Sequence, residues 1–61
     1  QALKWYTKAA EHNESDAQYN LAQMYLNGEG TPKNLPLAKK WFQQAANTGD
    51  ADAKEMLKSL E

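Results

Sequence analysis

The only histidine of the chain, His12, lies beside two glutamates, Glu11 and Glu14. An imidazole with neighbouring carboxylates could bind a metal ion or act as a general base. The apolar periodicity of a first helix ends near this position, however, and a histidine at a helix C-terminus also interacts favourably with the helix dipole. We therefore expect His12 to mark a helix end rather than a metal site or a catalytic centre.

A second candidate for chemistry is Gly28-Glu29-Gly30, which superficially resembles a phosphate-binding loop. Such loops follow a strand and carry a third glycine, whereas this one follows a helical pattern and lacks that glycine, so we expect a turn. Asp50 and Asp52 lie close together but open a predicted helix, where capping and the helix dipole account for both. Nothing assembles a nucleophile, a base and an oxyanion donor. The sequence predicts no enzyme, no cofactor and no metal site.

The charge balance bears on the class of partner. The chain contains seven lysines, no arginine and eight acidic residues, so its formal net charge is −1. Without the bidentate phosphate binding of arginine, we expect no nucleic-acid partner. No apolar run reaches the roughly 18 residues of a membrane span, so we expect no direct membrane insertion. Lys39 and Lys40 lie off the apolar face of a predicted helix, which favours a solvated surface; attraction to an acidic partner is the alternative.

The elements that would position these residues repeat along the chain. Eight residues recur with the same identity 36 positions later, namely Ala2, Lys4, Trp5, Ala9, Ala10, Asp16, Ala17 and Leu21. A period of this length is typical of a helical solenoid, in which each unit buries its apolar face by stacking on its neighbours. The repeat favours a binding function over catalysis.

Apolar spacing predicts four helices of two alternating types. Their apolar positions are Ala2, Trp5, Tyr6, Ala9 and Ala10 in the first; Ala17, Leu21, Ala22, Met24, Tyr25 and Leu26 in the second; Ala38, Trp41, Phe42, Ala45 and Ala46 in the third; and Ala53, Met56, Leu57 and Leu60 in the fourth. The two tryptophans lie beside alanines at helical spacing. We therefore expect both to belong to the core rather than to a cofactor or sugar-stacking site.

Turn residues set the helix ends. Asn13 and its repeat partner Gly49 are expected to take a left-handed conformation after the first and third helices. The second helix begins either at a capping box of Ser15 and Gln18 or at Glu14.

The longest predicted turn separates the second helix from the third. The second helix ends at Gly28, and Asn34 caps the third, with Pro36 in its first turn. Asp50 caps the fourth helix.

This pattern resembles a known family. The residues that carry the resemblance are Ala17, Leu21, Tyr25, Gly28-Glu29-Gly30, Ala38, Trp41, Ala45-Ala46 and Gly49-Asp50. They resemble the Sel-one-like repeat of the tetratricopeptide superfamily, in its cysteine-free branch. The resemblance implies an all-α superhelix of four antiparallel helices: residues 1–15 as the second helix of a preceding repeat, 16–50 as a complete repeat, and 51–61 as the first helix of a following or capping repeat.

The resemblance also implies where a partner would bind, because the first helix of each unit lines the concave face in this superfamily. On the second helix, Tyr19, Gln23 and Asn27 are spaced four apart, and Asn20 lies beside them. On the fourth helix, the matching positions are Glu55 and Ser59. An aromatic ring among amides can hold an extended peptide by stacking and by hydrogen bonds to its backbone. The alternative is a solvated face without a ligand.

Both ends of the piece carry further expectations. The chain starts without methionine inside a helical pattern, so we expect a longer parent protein. The fourth helix has charged residues where the second has apolar ones, at positions 55, 58 and 61, which suggests the last unit of a solenoid. Trp5 and Tyr6 should be partly exposed, so self-association through the edge of the N-terminal helix is expected as an option.

The predicted function is that of a protein-interaction scaffold or adaptor that presents a concave helical surface to a peptide or protein. The resemblance implies adaptor roles in signalling, in assembly of membrane-associated complexes or in bacterial contacts with host cells, and a bacterial source. Two alternatives stay open: a structural spacer with no ligand of its own, and an accessory segment of an envelope enzyme whose catalytic residues lie elsewhere.

Overall fold

The computed structural model describes residues 2–60, which form four helices without a strand. Helix α1 spans Ala2–Glu11, α2 spans Ser15–Asn27, α3 spans Leu35–Asn47 and α4 spans Ala51–Leu60. Each helix packs against the next along the chain. The predicted all-α architecture of stacked helices is confirmed. None of the described helices is long and apolar enough to cross a membrane.

The first and third helices end in the same way. Asn13 has φ 65° and Gly49 has φ 109°, so both predicted left-handed residues are confirmed. The N–H of Asn13 donates to Ala10 O at 3.1 Å, and Gly49 donates to Ala46 O at 3.0 Å. In each case the following N–H reaches back to the carbonyl five residues earlier, and these paired bonds satisfy carbonyls that a helix end otherwise leaves open.

Glu14 is the N-cap of helix α2, so of the two helix starts left open by the sequence the structure has the one at Glu14. Glu14 is extended, with φ −87° and ψ 111°, and its side chain accepts no cap hydrogen bond from the described residues. The alternative capping box of Ser15 and Gln18 does not form. The Gln18 side chain is instead buried and donates to Ala10 O at 3.0 Å, because α1 packs directly over this end of α2.

The turn between α2 and α3 is fixed at both ends as predicted. Gly28 is left-handed, with φ 72°, and donates to Met24 O at 2.8 Å. At the other end, Asn34 Oδ1 accepts from the N–H of Leu37 at 3.2 Å, and Pro36 lies in the first turn of α3. Asparagine and proline at these positions satisfy or remove N–H groups that have no partner inside the helix.

The core consists of two clusters in which most residues are alanine. One joins α1 to α2 and contains Ala9, Ala10, Ala17 and Leu21. The other joins α2, α3 and α4 and contains Ala22, Ala38, Phe42, Ala45, Ala46 and Ala53. Alanine lets the helices approach closely, and the large side chains fill the remaining space. Tyr25 and Trp41 pack against both clusters and therefore connect them.

The two tryptophans have different environments, although they are equivalent in the repeat. Trp41 is half-buried and packs against both clusters, whereas Trp5 is 65% exposed. The assignment of Trp5 to the core is therefore wrong, and the expected open edge of α1 is present. The reason is position: α3 packs between α2 and α4, whereas α1 packs mainly against α2.

Candidate protein-binding surface

Helix α2 carries a row of side chains joined by hydrogen bonds. Gln23 Nε2 donates to the Tyr19 hydroxyl oxygen at 3.0 Å, and Asn27 Nδ2 donates to Gln23 Oε1 at 3.3 Å. Residues four apart lie on the same face of a helix, which is why these three meet. We call Tyr19, Gln23 and Asn27 the α2 stripe.

The ring of Tyr19 is held from beneath by α3. It contacts the ring of Phe42 edge-on, with the centroids 5.5 Å apart and the planes at 63°. Phe42 is completely buried, and burial of such a side chain contributes about 2 kcal/mol. Tyr19 itself is half-buried. The core thus fixes the tyrosine ring, and the ring in turn orients the hydroxyl that Gln23 contacts.

The α2 stripe keeps hydrogen-bonding capacity. The Tyr19 oxygen accepts a bond from Gln23, and the hydroxyl hydrogen itself makes no bond to the described residues. Asn27 uses one N–H, which leaves its carbonyl oxygen and second N–H for other partners. The stripe can therefore both donate to and accept from a backbone laid along it.

Within residues 2–60, no side-chain hydrogen bond joins the other sequence-predicted site residues to the stripe. Asn20 lines a groove of about 320 Å³ between α1 and α2, together with Trp5, Tyr6, Ala9, Glu14, Asp16 and Ala17. Glu55 and Ser59 are exposed on α4. Hydrogen bonds thus join Tyr19, Gln23 and Asn27, whereas Asn20 faces the groove between α1 and α2.

A second groove of about 410 Å³ lies between α3 and α4 and was not predicted as a site. It is lined by Lys39, Lys40, Gln43 and Leu57. Lys40 Nζ lies 5.8 Å from the centroid of the Trp41 ring, within the range of a cation–π contact. The signal in the sequence is the pair Lys39-Lys40, for which the apolar pattern favours a solvated surface and leaves attraction to an acidic partner as the alternative.

The remaining chemical candidates are helix ends and turns. His12 is exposed and follows the last residue of α1, and Gly28-Glu29-Gly30 follows α2. Within residues 2–60, no group of three or more histidine, aspartate or glutamate side chains is arranged to hold a metal ion.

Comparison with known proteins identifies the family. The model of the Sel1 repeat matches residues 1–14 and 15–50, so the chain belongs to the Sel1 repeat family. This is the Sel-one-like repeat that the sequence resembles, with an all-α fold of the tetratricopeptide kind. No solved structure gives a significant match.

Three curated relatives illustrate the range of proteins that carry similar repeats. The chain is 38% identical to the chitin synthase regulator SKT5 of Malassezia restricta over 98% of its own length and 4% of that protein. It is 37% identical to the DAP3-binding cell death enhancer 1 of Mus musculus, over 97% of the chain and 12% of the relative. It is 43% identical to the exopolysaccharide production negative regulator of Rhizobium meliloti, over 87% and 20%. The chain spans a small part of each relative, and these varied organisms do not support a bacterial source in particular.

Proposed function

We propose that this chain is a protein-interaction module that holds an extended segment of a partner protein along the α2 stripe. The observation that carries the proposal is the hydrogen-bonded row of Tyr19, Gln23 and Asn27 on a ring fixed by Phe42. Side chains that are already ordered lose less conformational entropy on binding than free ones do. Such a surface favours a scaffold or adaptor.

The spacing of the stripe suits an extended peptide. Four residues of an α-helix rise about 6 Å, and two residues of an extended chain rise about 6.6 Å. Successive side chains of the stripe can therefore meet every second residue of a peptide that runs along α2. In this arrangement the Tyr19 hydroxyl donates to a peptide carbonyl, and the Asn27 side chain bonds to a backbone group further along. Asn20, Glu55 and Ser59 would contact flanking parts of the partner.

The names of the relatives support an interaction role. They describe a regulator of chitin synthase, a protein that binds DAP3 and a negative regulator of exopolysaccharide production. Regulation and binding are activities exerted on other proteins or pathways. For this chain the proposal extends only to binding a protein or peptide.

The test is a pull-down that compares the unsubstituted parent protein with a variant in which the stripe is changed by the double substitution Gln23→Ala and Asn27→Ala. Gln23 is half-buried, Asn27 is exposed and neither belongs to a core cluster, so the fold should persist, which circular dichroism checks. The matched control is Gln44→Ala with Asn47→Ala, because it removes the same two residue types from exposed positions of α3 outside both grooves. Partners lost only from the α2 variant support the proposal.

Two outcomes of the pull-down would overturn the proposal that the α2 stripe binds a partner. Partners that the α2 variant retains at the parent level would move the binding surface elsewhere. An absence of any specific partner for the parent protein would favour the structural spacer, in which the stripe is only a solvated face.

Pairing with a second copy is a further part of the proposal. Its support is the exposed ring of Trp5, which lies edge-on to Tyr6 with the centroids 5.2 Å apart. Large exposed aromatic groups favour association. Sedimentation equilibrium should detect a dimer of the chain that Trp5→Ala weakens, and a monomer at high concentration would remove the idea.

A further inference from the structure

The groove between α3 and α4 combines positive charge with an apolar floor. Lys39 and Lys40 are exposed at its edge, Leu57 is half-buried within it, and Gln43 adds an amide. Helix α3 contains no acidic residue, so neither lysine has a carboxylate on its own helix. The groove is therefore cationic along one wall.

The internal repeat gives a reference for this groove. One repeat earlier, the positions of Leu57 and Lys58 are occupied by Leu21 and Ala22, and both are completely buried. α3 covers this face of α2: Trp41 packs against the cluster between α1 and α2 that contains Leu21, and Ala22 lies in the cluster that α2 shares with α3 and α4. If another helix packed along α4 in the same way, Leu57 would be covered as Leu21 is.

Helix α4 carries charges that oppose such packing. Lys58 replaces Ala22, and Glu55 replaces Tyr19, whose ring contacts Phe42. A helix packed here like α3 would bury both charged groups, which is costly unless each is paired and hydrogen-bonded. The groove is therefore suited to a ligand that leaves these charges in water.

We propose that the groove between α3 and α4 binds an extended acidic segment of a partner protein. Carboxylates of the segment pair with Lys39 and Lys40, an apolar side chain between them packs on Leu57, and Gln43 bonds to the peptide backbone. The contact of Lys40 with the Trp41 ring restrains the lysine and keeps its charge beside the groove. Charge complementarity of this kind sets partner choice and speeds encounter. The site is separate from the α2 stripe and does not depend on it.

The test measures the binding of one defined probe by fluorescence anisotropy. The probe is a fluorescein-labelled peptide of the sequence Glu-Leu-Glu-Ser-Glu-Leu-Glu-Ser-Glu-Leu, titrated with the 61-residue chain at low salt. Loss of two lysine–carboxylate pairs in Lys39→Gln with Lys40→Gln should raise Kd about tenfold. Lys8→Gln with Lys33→Gln makes the same change in net charge at exposed positions outside the groove, and should raise Kd less than about twofold.

Further probes separate the occupants. A peptide with serine in place of leucine should bind more weakly, because it loses the contact with Leu57. The stripe variant Gln23→Ala with Asn27→Ala should keep the parent affinity, so failure here and failure of the α2 stripe are distinguishable. The proposal is overturned if the parent does not bind the peptide, if both lysine pairs weaken binding equally, or if an oligonucleotide of equal charge displaces the peptide. It is also overturned if sedimentation shows a dimer of the chain that is lost in the variant Lys39→Gln with Lys40→Gln and kept in Lys8→Gln with Lys33→Gln. The groove would then bind a second copy of the chain.

Discussion

The hydroxyl of Thr48, at the end of α3, lies 3.0 Å from the buried Oε1 of Gln18 on α2, 30 positions earlier in the chain. Gln18 also donates to Ala10 O at the end of α1. One side chain thus connects three successive helices at the same end of the stack. Gln18 is 1% exposed, and its amide uses one N–H and its oxygen in these two bonds.

The contact of Gln18 with Thr48 should appear as a coupling energy. Gln18→Ala should cost about 1 to 3 kcal/mol, and Thr48→Val less, because the Thr48 hydroxyl is exposed and its single hydrogen is shared between Gln18 Oε1 and Gln44 O. The double variant should lose about 1 kcal/mol less free energy of unfolding than the sum of the losses of the two single variants, as expected for a hydrogen bond that joins the two residues. Urea denaturation of the four proteins measures it. Strict additivity would show that the bond contributes nothing to stability.

The two tryptophans should differ in their effect on stability. Trp41→Ala should cost about 3 kcal/mol or more, which is comparable with the whole stability of a chain this short, so its cooperative melt should be lost. Trp5→Ala should cost less than about 1 kcal/mol, because the ring is mostly in water. Thermal melts by circular dichroism compare the variants at equal concentration. A Trp41→Ala melt close to that of the parent would remove Trp41 from the core.

The left-handed turn after α3 should tolerate asparagine better than alanine. No described atom lies within 4 Å of the position of a Cβ at Gly49, so any cost comes from the backbone angle. Gly49→Ala should therefore lose about 1 to 2 kcal/mol. Gly49→Asn should lose less, as the repeat partner Asn13 already holds a left-handed conformation. Chemical denaturation ranks the three proteins, and equal losses for both variants would point to a cause other than φ.

The two helix starts provide a matched test of capping. Asn34→Ala removes the bond from Leu37 N to Asn34 Oδ1 and should cost about 1 kcal/mol. Glu14→Ala removes no cap bond among residues 2–60, only a charge near the N-terminus of α2, and should cost about 0.5 kcal/mol or less. The difference is measured by urea denaturation. Equal losses would mean that the side-chain bond of Asn34 is not what stabilises α3.

Much of the fold could be predicted because its determinants are local. Asn34 and Gly28 set the ends of their helices through bonds to residues within four positions. The repeat likewise identified the buried alanines: Ala9, Ala10 and Ala17 are buried, and so are their repeat partners at positions 45, 46 and 53. The start of α2 could not be fixed in this way: Ser15 with Gln18 satisfies the pattern of a capping box, and only the packing of α1 over Gln18 removes it.

Only part of the candidate site could be predicted from the sequence. Spacing alone placed Tyr19, Gln23 and Asn27 on one face, and the structure adds the hydrogen bonds between them. The spacing of residues in the sequence did not indicate that Asn20 faces the groove beside α1, or that Lys39 and Lys40 share a groove with Leu57. Grooves form between helices, so their lining depends on how neighbouring elements pack.

The sequence by itself determined the number and type of the elements, their turns and their family, because periodicity and capping act over a few residues. The tertiary structure decided which equivalent residues differ in environment. Trp5 and Trp41 have the same place in the repeat, and one is exposed while the other joins two core clusters. Burial depends on the helices on either side, and a repeated residue receives a different set of neighbours in each unit.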